Sequence, residues 1–363
     1  MNKRFLLLII FIFLISFGIF VFIPKEKTKG ADVVNDVKVE KVLPDKIMAV
    51  YLTSWSASSS SMIDYVIDLS KKTEINAVVI DVKDWSGKIP YDTNVSLAQE
   101  YGAERVVVKD MKGLIDRLHN EGIYAIARIT VFQDPVLALN RSDLAVKTLS
   151  GDIWYDYNGL AWIDPSKKEG WDYNISIAKD ALSNGFDEIN FDYIRFPSDG
   201  NLNDMDIDFA SEREVIKSFY QYLREELKEA VISADMFGLT TVNSDGLGIG
   251  QVIQDAYQYF DYVCPMVYPS HYASGFIGFE NPAEHPFEVV AYSMAKAKIK
   301  LEGYDSKIRP WLQDFDLGAV YDTEKVYLQI KAVKDILTDK YYGYMLWSPT
   351  NFYNEEAIIK AEK

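Results

Sequence analysis

The sequence predicts an α/β protein whose body is a single (β/α)8 TIM barrel. Three observations carry that expectation. Eight strand-like apolar runs alternate with amphipathic segments, as a parallel sheet requires. No break in composition divides the body. Polar and aromatic residues gather at the C-terminal ends of the runs, where barrels of this kind keep their active sites. At 363 residues and 48% hydrophobic content, the chain can bury a full core, since such a barrel takes about 250 residues.

The elements follow in order. After Lys3 and Arg4, the apolar run Phe5–Ile23 is broken only by Ser16 and Gly18. At about 1.5 Å per residue it can cross a bilayer core of roughly 30 Å. A cleaved leader has a shorter apolar region and a small-x-small site, whereas FIPKEKTKG follows here. Residues 1–23 are therefore expected to form an uncleaved transmembrane anchor, with the barrel outside the cytoplasm. Cleavage would instead give a secreted protein. Residues 24–45 read as a linker, and residues 46–363 as the barrel.

The eight runs are KIMAVYLTSW (46–55), INAVVIDVKDW (75–85), IYAIARITVF (123–132), FDEINFDYIRF (186–196), VISADMFG (231–238), DYVCPMVYP (261–269), IRPWLQDF (308–315) and YYGYMLWSP (341–349). Between them, segments such as DMKGLIDRLHNEG, SEREVIKSFYQYLREELKE and TEKVYLQIKAVKDILTDK carry apolar residues at helical spacing and charges on the other face. Several end in Gly, as helices commonly do. HYASGFIGFENPAEHP, after the sixth run, reads as a rim loop or lid that brings His271 to the substrate.

Charge and cysteine content exclude several classes. The formal net charge is −16, and because residues 1–45 carry +2, the body carries −18. Such a surface repels phosphate backbones, so nucleic acid is not expected as a partner. The one cysteine, Cys264, excludes an internal disulfide and a thiolate metal cluster. It reads as a small buried hydrophobe. No cofactor is called for.

The strand ends suggest glycosidic bond cleavage, which needs two carboxyl groups flanking the scissile bond. Asp192 and Asp235 end adjacent strands and are the candidate catalytic pair, Asp192 as nucleophile or base and Asp235 as acid. Asp314 stands in reserve as proton donor. Around them, Trp55, Trp85, Tyr268, Trp311 and Trp347 form an aromatic rim suited to the apolar faces of sugar rings. Asp81, Asp84, Arg128, Arg195, His271 and Gln313 supply polar contacts to substrate. Arg128 or Arg195 would hold Asp192, and Glu188, deeper on the same face, would fill a layer or pair with one of these arginines. Two other readings use the same residues. One is a non-catalytic glycan-binding barrel. The other is a metal-dependent deacetylase or phosphodiesterase, in which oxygen ligands would hold Mg or Ca, because of the three histidines, His119, His271 and His285, only His271 lies near a strand end.

The segments NAVVIDVKDWSGKIPY, IYAIARITVFQDP, WIDPSKKEGWDYNISIAKDALSNGFDEINFDYIRFP, ADMFG, CPMVYPSHY and GYMLWSP carry a resemblance. From about residue 46 to 355 the chain resembles the bacterial family described as "putative glycosyl hydrolase domain", within the wider group of glycoside hydrolase barrels. The resemblance implies a barrel and a carbohydrate-related activity. The position of Asp192 on the fourth strand is also similar to that of the nucleophile in α-amylase-like barrels. Chitinase-like barrels share M-x-Y on strand six and a Trp on strand eight, here Met266, Tyr268 and Trp347. Their fourth strand, however, carries D-x-x-D-x-D-x-E, and this chain has Asp187, Asn190, Asp192 and Ile194 at the matching positions. The acid of that motif is absent, which disfavours substrate-assisted chitinase chemistry. A tethered, exported barrel of this kind fits a cell-envelope or extracellular polysaccharide.

Overall fold

A computed structural model describes residues 44–363. The expected anchor at residues 1–23, and nearly all of the expected linker, lie outside the described residues. Within them, no helix is long and apolar enough to cross a membrane.

The described chain is a closed parallel barrel. Its strands are β1 (Ile47–Leu52), β2 (Ala77–Lys83), β3 (Tyr124–Thr130), β4 (Glu188–Asp192), β5 (Val231–Phe237), β6 (Tyr262–Met266), β7 (Lys307–Ile308), β8 (Trp311–Gln313) and β9 (Gly343–Trp347). The spatial order β5-β4-β3-β2-β1-β9-β8-β6-β7 closes through pairing of β5 with β6. Every one of the eight apolar runs supplies one stave. The seventh is split into β7 and β8, because Pro310 has no N–H to give the ladder. β7 pairs only with β6, while β8 pairs with β9 and touches β6 through Met266 and Trp311. Gln329, on the helix Thr323–Leu337, bridges the short stave from outside: its side chain accepts from the Gln313 N–H at 2.9 Å and donates to the Gln313 carbonyl at 2.7 Å.

Strand alternation divides the buried side chains into two cores. Val50, Ile80, Ala127, Phe191, Ala234, Val263, Leu312 and Leu346 face outward against the helices. Ala49, Val79, Ile126, Cys264 and Met345 face inward and fill the barrel. The helices fit this arrangement by spacing. Glu212–Glu226 buries Ile216, Phe219, Tyr220 and Leu223, which lie on one stripe at helical period. Asp110, Asp134, Asp322 and Asn354 cap helix N-termini by accepting the N–H three residues on. At the start of β9, Gly343 has φ 111°, and a Cβ there would lie 1.9 Å from the Ile47 carbonyl oxygen. Only glycine lets β9 approach β1 this closely.

Below the mouth, the barrel interior holds a buried ion pair. Glu188 on β4 binds the Arg309 guanidinium, which comes from the break in the seventh stave, and both side chains are fully buried. Ser233 and Tyr124 also donate to Glu188, and Arg309 lies 4.3 Å over the Tyr262 ring. From its strand parity, Glu188 is expected to fill a layer or to pair with Arg128 or Arg195. Depth decides otherwise, since Arg128 is two residues further up its strand and faces Asn190, not Glu188, in the ladder. Removing one partner strands the other charge in the interior. Glu188→Gln is therefore expected to lower unfolding free energy by roughly 3–5 kcal/mol, and adding Arg309→Met should restore much of that loss. Urea unfolding of the single and double variants measures both steps.

Candidate functional site

The upper, inward-facing positions of β1 to β5 bring one polar network together. Arg128 on β3 is its centre. Its Nη1 donates to Asp81 Oδ1 at 2.6 Å, and its Nη2 and Nε donate to Asp192 Oδ2 at 2.5 and 3.2 Å. Asp81 in turn accepts from the Tyr51 hydroxyl at 2.6 Å. Asp235 Oδ2 lies 3.9 Å from the same Arg128 Nε. Its Oδ1 accepts from Asn190 Nδ2 at 2.9 Å and Trp311 Nε1 at 2.7 Å. Because Asp192 Oδ2 and Asp235 Oδ2 share one nitrogen, their separation cannot exceed the sum of 3.2 and 3.9 Å. That bound of about 7 Å on one oxygen pair is compatible with the spacing of roughly 5–5.5 Å between carboxyl groups in retaining glycosidases and with the lower part of the inverting range, about 6.5–9.5 Å.

The backbone turns sharply after Asp192. Tyr193 adopts φ 53°, in the left-handed region that bulky residues rarely enter. The turn aims its N–H at Asp192 Oδ1, 2.6 Å away. Asp192 thus has both oxygens fixed, one by a guanidinium and one by the backbone.

These carboxyls open into a cavity of about 650 Å³, a size typical of small-molecule sites. Arg128, Arg195, Asp192 and Asp235 supply polar lining, and Tyr193, Phe237, Tyr268, Tyr272, Trp311, Phe315 and Trp347 make most of the wall. Trp347 stacks on Tyr51 at 6.4 Å and meets Phe315 edge-on at 4.9 Å. His271 also lines the cavity and shares a hydrogen bond with the Ser270 hydroxyl. Burial pushes its pKa down, which favours the neutral ring.

The electrostatics separate the two catalytic candidates. Burial, and then the charge of Asp192, push Asp235 up to about 8, against the pull of Arg128, Asn190 and Trp311. Asp235 therefore holds a proton at neutral pH. Burial also raises Asp81, opposed by Arg128 and Tyr51. Burial raises Asp314 to about 6. Asp314, however, does not line the cavity: it accepts from the Asn354 N–H at 2.8 Å, where the chain leaves β9 for its last helix.

The other residues singled out by sequence fall in three places. Arg128, Arg195, Tyr268, His271, Trp311 and Trp347 line the cavity with Asp192 and Asp235. Asp81 and Gln313 stand behind it: Asp81 backs Arg128, and Gln313 accepts from the Ser270 N–H and hydroxyl. Trp55, Asp84 and Trp85 follow β1 and β2 outside the lining. Both tryptophans are more than half exposed, and Asp84 organises its own turn by accepting from Ser86. Trp311 is only 2% exposed, so its ring is a wall and its N–H a handle on Asp235. Asn190 and Tyr51 were not singled out, although strand parity with Asp192 and the end of β1 pointed to them. Phe315, Phe237 and Tyr272 sit at irregular positions for which no spacing rule exists. Among the described residues, no group of three or more His, Cys, Asp or Glu side chains is placed to hold a metal ion.

Comparison with known proteins agrees with this architecture. Residues 49–353 match the family described as "Putative glycosyl hydrolase domain". No curated protein matches the sequence. Among solved structures, a hypothetical protein from Ruminiclostridium thermocellum is 39% identical over 51% of this chain and 96% of its own, with a TM-score of 0.48. A GH20 exo β-N-acetylglucosaminidase from Vibrio harveyi aligns over 87% of this chain and 54% of its own, at 10% identity and TM-score 0.55. The spore cortex-lytic enzyme SleL of Bacillus megaterium aligns over 87% and 73%, at 12% identity and TM-score 0.52. At these identities the last two likenesses speak to the fold alone.

Folding raises the Asp235 pKa from about 3.9 to about 8, so between these values the folded state keeps a proton that the unfolded chain has released. The resulting stabilisation is complete at the acid end and is lost as pH rises through about 8. Asp235→Asn lacks this dependence. The parent is expected to lose stability relative to the variant between about pH 5 and pH 9, as read from urea midpoints at each pH.

Proposed function

Since the chain belongs to this glycosyl hydrolase family, we propose that it is a retaining glycoside hydrolase that uses Asp192 and Asp235 as its carboxyl pair. One observation carries the reading. Two carboxyls held around a single Arg128 nitrogen face an aromatic-walled cavity, Asp192 fixed as an ion pair and Asp235 with its pKa pushed up by burial and by Asp192. Asp192 would attack the anomeric carbon as Asp235 gives its proton to the departing glycosidic oxygen. This leaves a glycosyl ester on Asp192 and a carboxylate on Asp235. Water then attacks the anomeric carbon from the opposite face, displaces Asp192 as its carboxylate and gives a proton to Asp235, which restores both groups and retains the anomeric configuration. Trp347, Tyr268 and Phe315 would stack on the sugar.

The N-terminal run Phe5–Ile23 supports a tethered position outside the cytoplasm, with a cell-envelope or extracellular polysaccharide as substrate.

A screen of the full chain against such polysaccharides, read as reducing ends, tests the proposal. Asp192→Asn should abolish release. Asp235→Asn should lower kcat by about 10²–10⁴-fold on natural linkages, and by much less on aryl glycosides whose leaving group needs no proton. The pH profile of kcat/KM should fall on the alkaline side near pH 8, where Asp235 loses its proton, and NMR of the first product should show the starting anomer. Undiminished turnover in Asp192→Asn would sink the assignment. Glycan binding without release by the parent would make the barrel a binding module.

A further inference from the structure

The cavity contains two guanidinium groups in opposite situations. Arg128 is neutralised by Asp81 and Asp192. Arg195 is not: among the described residues, no carboxylate forms an ion pair with it. Its Nη1 donates to the Phe196 carbonyl at 3.0 Å and the Ser198 hydroxyl at 3.1 Å. Nε and Nη2 have no such partner and are not among the polar atoms sealed from solvent, and Arg195 lines the cavity. The residue is only 7% exposed. Trp162, Tyr193 and Phe237 hold the guanidinium by their ring faces, 4.8, 5.3 and 4.9 Å from it. The charges of Asp192, Asp199 and Asp156 reach it through space, but Asp192 is paired with Arg128, and Asp156 is engaged by the Trp162 indole and two backbone N–H groups.

A buried charge without a counter-ion is costly, and burial pulls the Arg195 pKa down. Aromatic faces offset part of that cost and fix the plane of the group without using its free edge. A planar fork with two open donors matches a carboxylate better than it matches a hydroxyl, which cannot supply the missing charge. Resting on the glycosidase reading of the same cavity, we propose that Arg195 binds the carboxylate of an acidic sugar, so that the substrate is a uronic-acid-containing glycan. The body's charge of −18 does not forbid this, since at physiological ionic strength distant charges are screened beyond about 8 Å. Asp192, Asp235 and Asp316 also line the cavity, but Asp192 is paired with Arg128, which leaves Arg195 as the guanidinium to meet a ligand's charge.

The test compares galacturonate and glucuronate oligosaccharides with their methyl esters, which keep the sugar and remove the charge. Calorimetric binding to the full chain, in the parent and in Asp235→Asn, should favour the acids by roughly 10- to 100-fold, as expected for charge-assisted hydrogen bonds. In Arg195→Met that ratio should fall to near one, and Arg195→Lys should recover part of it. The acid-to-ester ratio of the parent needs no variant to fold. A parent ratio near one, failure to bind any acid form, or a ratio unchanged in Arg195→Met would overturn the proposal. Reducing-end release, measured in parallel, separates the two readings. Acid-selective binding without release retires the hydrolase and keeps this subsite. Release from neutral glycans with no preference for acids retires the subsite and keeps the hydrolase.

Discussion

The mouth of the barrel depends on one guanidinium. Asp81, Asp192 and Asp235 project from β2, β4 and β5 into one end of a strongly acidic protein, where any two that ionise together repel. Arg128 removes that repulsion by standing between them, with its Nη1 on Asp81, its Nη2 on Asp192 and its Nε within 3.9 Å of Asp235. It can do so only if β2, β3, β4 and β5 are neighbours in register, since a slip of one residue would turn its side chain out toward the helices. Closure and chemistry are thus one requirement. The same guanidinium makes the two catalytic candidates unequal, because it pairs with Asp192 closely and reaches Asp235 only at arm's length.

A second charged level lies beneath the first. Glu188 and Arg309 neutralise each other in the barrel interior, with Ser233 and Tyr124 adding donors. Two residues above Arg309, Trp311 holds Asp235. One short stave therefore contributes to both the buried pair and the site, and the side chain that keeps the barrel interior neutral is distinct from those that meet the cavity.

Much of this was legible in the sequence because parallel strands announce themselves as apolar runs and barrels put their chemistry at one end. All eight staves, and the gathering of Asp192, Asp235, Arg128, Arg195, Tyr268, His271, Trp311 and Trp347 around one cavity, follow from those two regularities. Partnerships were less legible. Glu188 meets Arg309, 121 residues away, and no local spacing encodes that distance. The tryptophans show the same limit. Trp311 and Trp55 both end strands, yet one is sealed in the wall and the other is exposed, because burial depends on how neighbouring loops fold over a position. Nor could strand patterns foresee the left-handed turn at Tyr193, which is an outcome of tertiary packing against Trp162 and Arg195.

The break in the seventh stave reaches beyond the sheet itself. With Pro310 interrupting the ladder, Gln313 takes its hydrogen bonds from Gln329 on the helix Thr323–Leu337, and Trp311, which holds Asp235, is two residues before Gln313. An outer helix is thereby tied through a single amide side chain to the stave whose Trp311 donates to Asp235. The place of the indole that holds Asp235 is thus set in part by a helix that never touches the cavity.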